Sequence, residues 1–184
     1  LQTWATRTTR AVEPSDDPQL DAARAIAWRD RLVLVVGPAG TGKTHTTARA
    51  VAALHTQGRP VVGLAPSGKA ADVLATAAGC ETDTLAGFLT RHRNARSPWP
   101  AGTTVILDEA GMAATTDLAR LVHLAQTNKW RLVAVGEHEP GIVVAVLALR
   151  RIDRQQQRAV GGRQAPDLLQ RLVAVEPNRP RRAG

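Results

Sequence analysis

Four short runs in this chain, Leu32–Val36, Val61–Ala65, Thr104–Leu107 and Leu132–Val135, are apolar throughout rather than alternating. A strand with one wet face alternates, so a continuous run is what a strand buried on both faces requires. Between the runs lie helical stretches from Lys43 to about Gln57, Gly68 to Ala78, Thr84 to His92, and Thr115 to Gln126. A further helix is expected from Asp17-Pro18 to about Trp28, since proline is tolerated at the first helical position. Parallel neighbours need a crossover element, so this order predicts an α/β fold: a parallel sheet with helices on both faces. The 184 residues suffice for one buried core. The longest apolar run, Ile142–Leu149, is far short of the ~20 residues of a membrane helix and reads as a buried element. No membrane contact and no signal peptide are expected, and Leu1 reads as an internal start. Cys80 stands alone, which excludes an internal disulfide and points to the cytoplasm.

The junction after the first apolar run carries the clearest chemistry. Gly37-Pro38-Ala39-Gly40-Thr41-Gly42-Lys43-Thr44 matches GxxxxGK[ST], directly after a strand and before a helix. Glycines let the backbone turn sharply and approach a phosphate without a Cβ clash, and the N–H groups and helix dipole attract the anion. Lys43 is expected on the β- and γ-phosphates and Thr44 on Mg²⁺. Thr46, two residues further into the helix, joins the same nucleotide-binding set. The cofactors implied are ATP and Mg²⁺.

The third run ends in Asp108-Glu109. Acids at the C-terminal edge of a parallel sheet face the crevice where ligands bind. Asp108 suits the magnesium shell, and Glu109 suits the orientation and deprotonation of an attacking water. The neighbouring glutamate separates a hydrolysing motor from a small-metabolite kinase, which does not generally need it.

With Asp108-Glu109-Ala110-Gly111-Met112 beside Gly37–Thr44, the chain resembles a superfamily 1 DNA helicase of the RecD-like group, in particular the helicase part of TraI/TrwC-type conjugative relaxases. The resemblance covers about residues 18–136 and implies the first RecA-like P-loop ATPase domain. It implies that Ala65–Leu74 is the segment along single-stranded DNA, with Pro66, Ser67 and Lys69 on one loop, and that Thr84 also touches the strand. It implies that Gln19 falls near an adenine-reading glutamine, and that the strand leading to Gly136 lies between the Gly37 strand and the Asp108 strand. Arg91, His92, Arg93 and Arg96 are either a phosphate-holding cluster or a solvated helix end, and Trp99 and Trp130 either pack or stack on bases.

The pattern also departs. Where that group reads GDxxQL, this chain reads Gly136-Glu137-His138-Glu139-Pro140-Gly141. Proline has no side-chain amide, so Pro140 cannot sense a γ-phosphate as the glutamine does. The second RecA-like domain is absent from the pattern, so a missing helicase domain or relaxase partner is implied. The expected division is an irregular lead-in over 1–17, an ATPase domain over 18–150 and an Arg-rich tail over 151–184 with one short helix at Pro166–Val173. Residues 150–184 carry nine Arg against three acids, most of the net charge of +8, which suits nucleic acid or a solvated end. The leading reading is the ATP-hydrolysing domain of a DNA helicase, truncated or shortened before its second motor domain. A stand-alone nucleotide-binding module, or a P-loop kinase or switch, remains the alternative.

Overall fold

The computed structural model describes residues 16–92, 98–137 and the backbone of 171–174. Strands β1 (Leu32–Val36), β2 (Val61–Ala65), β3 (Glu81–Thr84), β4 (Thr104–Leu107), β5 (Arg131–Gly136) and β6 (Arg171–Ala174) form one sheet in the order β3-β2-β4-β5-β1-β6. Every pairing is parallel. Helices α1 (Pro18–Ala27), α2 (Lys43–Thr56) and α3 (Gly68–Ala78) cover one face, and α4 (Leu85–Arg91) and α5 (Thr115–Thr127) cover the other. This is the α/β parallel-sheet architecture expected from the apolar runs, and β5 lies between β1 and β4 as the RecA-like resemblance implied.

Side-chain alternation along each strand sorts the two cores. Leu32 and Leu34 of β1, Val105 and Leu107 of β4, and Leu132 and Ala134 of β5 pack under α4 and α5 with Phe88, Leu121 and Trp130. Val33, Val35, Ile106, Val133 and Val135 point the other way, against Ile26, Val51, Leu54 and Leu74. Burying one such aliphatic side chain contributes about 1.5–3 kcal/mol, so neither layer tolerates a charge. Gly63 in β2 permits a close approach: a Cβ there would stand 2.7 Å from Leu74 Cδ2.

At the N-terminal ends of the strands, the Arg131 guanidinium is buried. It donates to Asp30 O (2.8 Å), Ile26 O (3.0 Å) and Thr104 Oγ1 (2.9 Å). Beside it, Arg59 Nη1 donates to Ala27 O at 2.8 Å. Two arginines therefore satisfy carbonyls that the last turn of α1 leaves open. Burial, reinforced by Arg59, draws the Arg131 pKa down to about 10.

Three expectations change. The segment before α4 is a strand, β3, whose short polar edge run Glu81-Thr82-Asp83-Thr84 gives no apolar signal; Thr84 ends it and caps α4 rather than opening the helix. Over Arg171–Ala174 the chain forms a parallel strand on β1 where a helix was expected at Pro166–Val173, so the sheet recruits a strand from beyond the expected domain limit at 150. The stretch is short and includes Leu172-Val173-Ala174, a composition that fits a buried strand as well as a helical turn. Ile142–Leu149 lies outside the described residues. No helix among the described residues is long and apolar enough to cross a membrane.

Candidate nucleotide site

The loop after β1 starts pinned to its neighbour, because Gly37 N donates to Gly136 O at 3.1 Å. Gly40 and Gly42 then take φ of 76° and 77°, the left-handed region that glycine enters without steric cost. Gly42 is the N-cap of α2, so it offers no side-chain oxygen to the first turn, and no acid stands in that turn. The contrast with other helices is informative: Asp17, Ser67 and Thr84 each accept a backbone N–H at the starts of α1, α3 and α4. The N-cap of α5, Ala114, also offers no oxygen, but α5 carries Asp117 in its first turn, so among these helices α2 alone has neither a cap nor an acid there. The first N–H groups of α2 are thus left to an anion, at the end of the helix where the dipole favours one.

Lys43 lies folded on this loop. Its Nζ donates to Gly37 O (2.8 Å) and Pro38 O (2.9 Å), and Glu137 Oε1 is 3.9 Å away. Thr41 is buried, with Oγ1 donating to Pro38 O at 2.8 Å, while Pro38, Ala39 and Gly40 are exposed at the loop's crest. Thr44 is partly exposed in the first turn of α2. Gln19 reaches the loop from α1: its Nε2 donates to Thr41 O at 3.0 Å and would stand 2.6 Å from a Cβ on Gly42. That contact is to the loop backbone, which sequence position alone did not reveal. Thr46 lies on the core face of α2, fully buried, with no hydrogen-bond partner for Oγ1 among the described residues.

Asp108 follows β4, its N–H donating to Leu64 O (2.8 Å) and its Oδ1 accepting from Glu109 N (2.9 Å). Burial pushes the Asp108 pKa up, opposed by the Glu109 N–H and by the Lys43 charge. Glu109 is exposed and sits at φ 48°, ψ 40°, capping a 3₁₀ turn over Ala110–Met112. A left-handed glutamate is a strained backbone, of the kind that gathers at functional sites. The ends of three adjacent strands, β1, β5 and β4, thus bring Lys43, Glu137 and Asp108 to one edge of the sheet.

Further along that edge, Ala65 of β2 pairs with Thr84 of β3, which sets Pro66 and Ser67 beside Thr84. Ser67 Oγ accepts from Ala70 N (3.2 Å) and Thr84 Oγ1 from Gly87 N (3.1 Å), so both hydroxyls serve as caps. Lys69 is exposed in the first turn of α3. Arg91 pairs with Asp83, and His92 is buried, its Nδ1 donating to Phe88 O and its ring 4.2 Å from that of Phe88. Arg93 and Arg96 lie outside the described residues. Trp130 is buried, with Nε1 donating to Trp99 O at 3.2 Å, which settles the packing reading for that side chain.

The family profile for an AAA domain matches residues 15–166. The conjugal transfer protein TraA of Rhizobium radiobacter is 38% identical over 132 residues, which is 72% of this chain and 12% of that protein. The multifunctional conjugation protein TraI of Escherichia coli is 37% identical over 128 residues, 65% of this chain and 7% of that protein. The chain thus spans about an eighth or less of the length of these relatives. Among solved structures, the Pif1 helicase from Candida albicans is similar over 68% of this chain and 33% of that one, at 20% identity and a TM-score of 0.46. The chain belongs to the AAA domain family and is a homologue of the TraA and TraI conjugation proteins.

Proposed function

We propose that this chain binds Mg·ATP at the loop Gly37–Thr44 and hydrolyses it as the ATPase domain of a DNA helicase. The observation that carries the reading is the uncapped start of α2 behind two left-handed glycines, with Lys43 on the loop and Asp108 across from it. A polyphosphate fits that cradle: backbone N–H groups receive its oxygens, and Lys43 exchanges its two carbonyl partners for phosphate. Among the described residues no group of three or more metal-ligating side chains exists. Mg²⁺ is held by few protein oxygens together with substrate phosphates, and Thr44 and Asp108 would supply those oxygens here. Held there, a magnesium ion would supply charge neutralisation for the nucleotide's phosphates. Glu109, exposed beside the crevice, orients a water and accepts its proton. Gln19, fixed to Thr41 O, holds the loop and stands beside the nucleotide.

Single-stranded DNA would run along the other half of the edge, over Pro66, Ser67, Lys69 and Thr84, next to the ends of β2 and β3. Unwinding requires a second RecA-like domain, so only the nucleotide half of the motor is assigned to these residues. A nucleotide switch or kinase would share the loop but would not answer to DNA. The test is steady-state ATP turnover with and without single-stranded DNA, for wild type and Glu109→Gln. Stimulation of the wild type, with turnover lost but ATP binding retained in the variant, is expected. Turnover indifferent to DNA, or unchanged in Glu109→Gln, would refute the helicase-type reading.

A further inference from the structure

We propose that Glu137 is an internal competitor for the phosphate-binding lysine: in the nucleotide-free protein its carboxylate holds Lys43 on the loop, and an incoming polyphosphate displaces it. The proposal rests on the nucleotide reading of the loop and adds a residue that sets how tightly nucleotide is taken.

An ammonium has three donor directions. Two of the Lys43 donors go to Gly37 O and Pro38 O, and the third partner in range is Glu137 Oε1 at 3.9 Å. The lysine side chain is only 14% exposed, whereas that of Glu137 is 56% exposed and reaches in from the end of β5. The position is fixed by backbone: Gly37 N donates to Gly136 O, so the residue after Gly136 must stand beside the loop. A glutamate there has one methylene more than the aspartate found in the resembled pattern, and so extends further toward Lys43.

The same carboxylate is unfavourable once a phosphate arrives. Lys43 then has to leave its loop carbonyls for the ligand, and Glu137 remains as a negative charge next to a more negative ligand. Nucleotide binding is thereby weakened relative to a neutral residue at 137, and the penalty is largest at low salt because Glu137 is exposed. Asp108 adds a second negative charge within the field of Lys43, but its carboxylate is tied to Glu109 N.

The test has one readout that needs no nucleotide. The chain has three lysines, Lys43, Lys69 and Lys129, so ¹³C-lysine labelling gives few Cε signals. Glu137→Gln and Glu137→Ala should shift the Lys43 signal, assigned through Lys43→Arg, and leave those of Lys69 and Lys129 in place. ADP titrated without Mg²⁺ at low salt should then bind either variant roughly two- to fivefold more tightly than wild type, a gain that shrinks as salt rises. An unmoved Lys43 signal would overturn the contact, whatever the nucleotide result. A moved signal with unchanged or weaker ADP affinity would overturn the competition. A moved signal with no nucleotide bound by any of the proteins would instead refute the function proposed for the loop, and the competition with it.

Discussion

The two ends of the sheet handle charge in opposite ways. At the N-terminal end, Arg131 is buried and all three of its nitrogens donate to oxygens of α1, its following loop and β4, while Arg59 takes another carbonyl. At the C-terminal end, Lys43 rests on its own loop, Asp108 is held half-buried, Glu109 is in a left-handed conformation, and α2 starts without a side-chain cap. The first arrangement is complete in the chain itself. The second leaves the first N–H groups of α2 without a side-chain acceptor and places a carboxylate-bearing residue in a strained conformation. Charges that stabilise a fold and charges that wait for a ligand can therefore be told apart by asking which have already found their partners.

The largest effect on this contrast should come from Gly42→Val. A β-branched residue at φ 77°, with its Cβ against the Gln19 amide, must distort the loop. Nucleotide affinity should fall by about 3 kcal/mol or more, roughly a hundredfold, while circular dichroism stays native. Near-normal binding would mean that the loop geometry is not what receives the phosphates.

At the other end, Arg131→Met should lower stability by about 2–3 kcal/mol, because the Ile26 and Asp30 carbonyls lose a buried donor. Urea unfolding measures this. Nucleotide affinity of the folded fraction should be unchanged, and a parallel loss of affinity would erase the distinction between the two ends.

A smaller and opposite effect is expected from Asp108→Asn. Burial raises the folded-state pKa of Asp108 above its unfolded value. Its contribution to stability is therefore full below the unfolded pKa and lost as pH rises through the folded pKa. At neutral pH the ligand-free variant should melt slightly higher than wild type, and the difference should vanish toward pH 4. A variant less stable than wild type at pH 7 would show that Asp108 is already satisfied within the fold.

Much of this division was legible in the sequence. The four doubly buried runs, the loop glycines with Lys43, and Asp108-Glu109 all announce themselves through local composition. Elements that draw their stability from neighbours did not: β3 is polar and relies on β2, and β6 lies in a tail whose composition resembles a helix as much as a strand. Contacts across long sequence separations were equally silent. Nothing in the order of residues joins Glu137 to Lys43, Gln19 to Thr41, or Arg131 to the end of α1. The burial of Thr46 was equally silent, since it follows from the periodicity of α2 against the sheet.

The central claim is that the C-terminal end of the sheet is built to take the phosphates of ATP through Lys43. Isothermal titration of Mg·ATP into wild type and Lys43→Ala tests it most directly. Saturable binding by wild type, with the variant weakened at least about a hundredfold and its fold unchanged, is the predicted result. Equal affinity in the two proteins, or none in the wild type, would contradict the account.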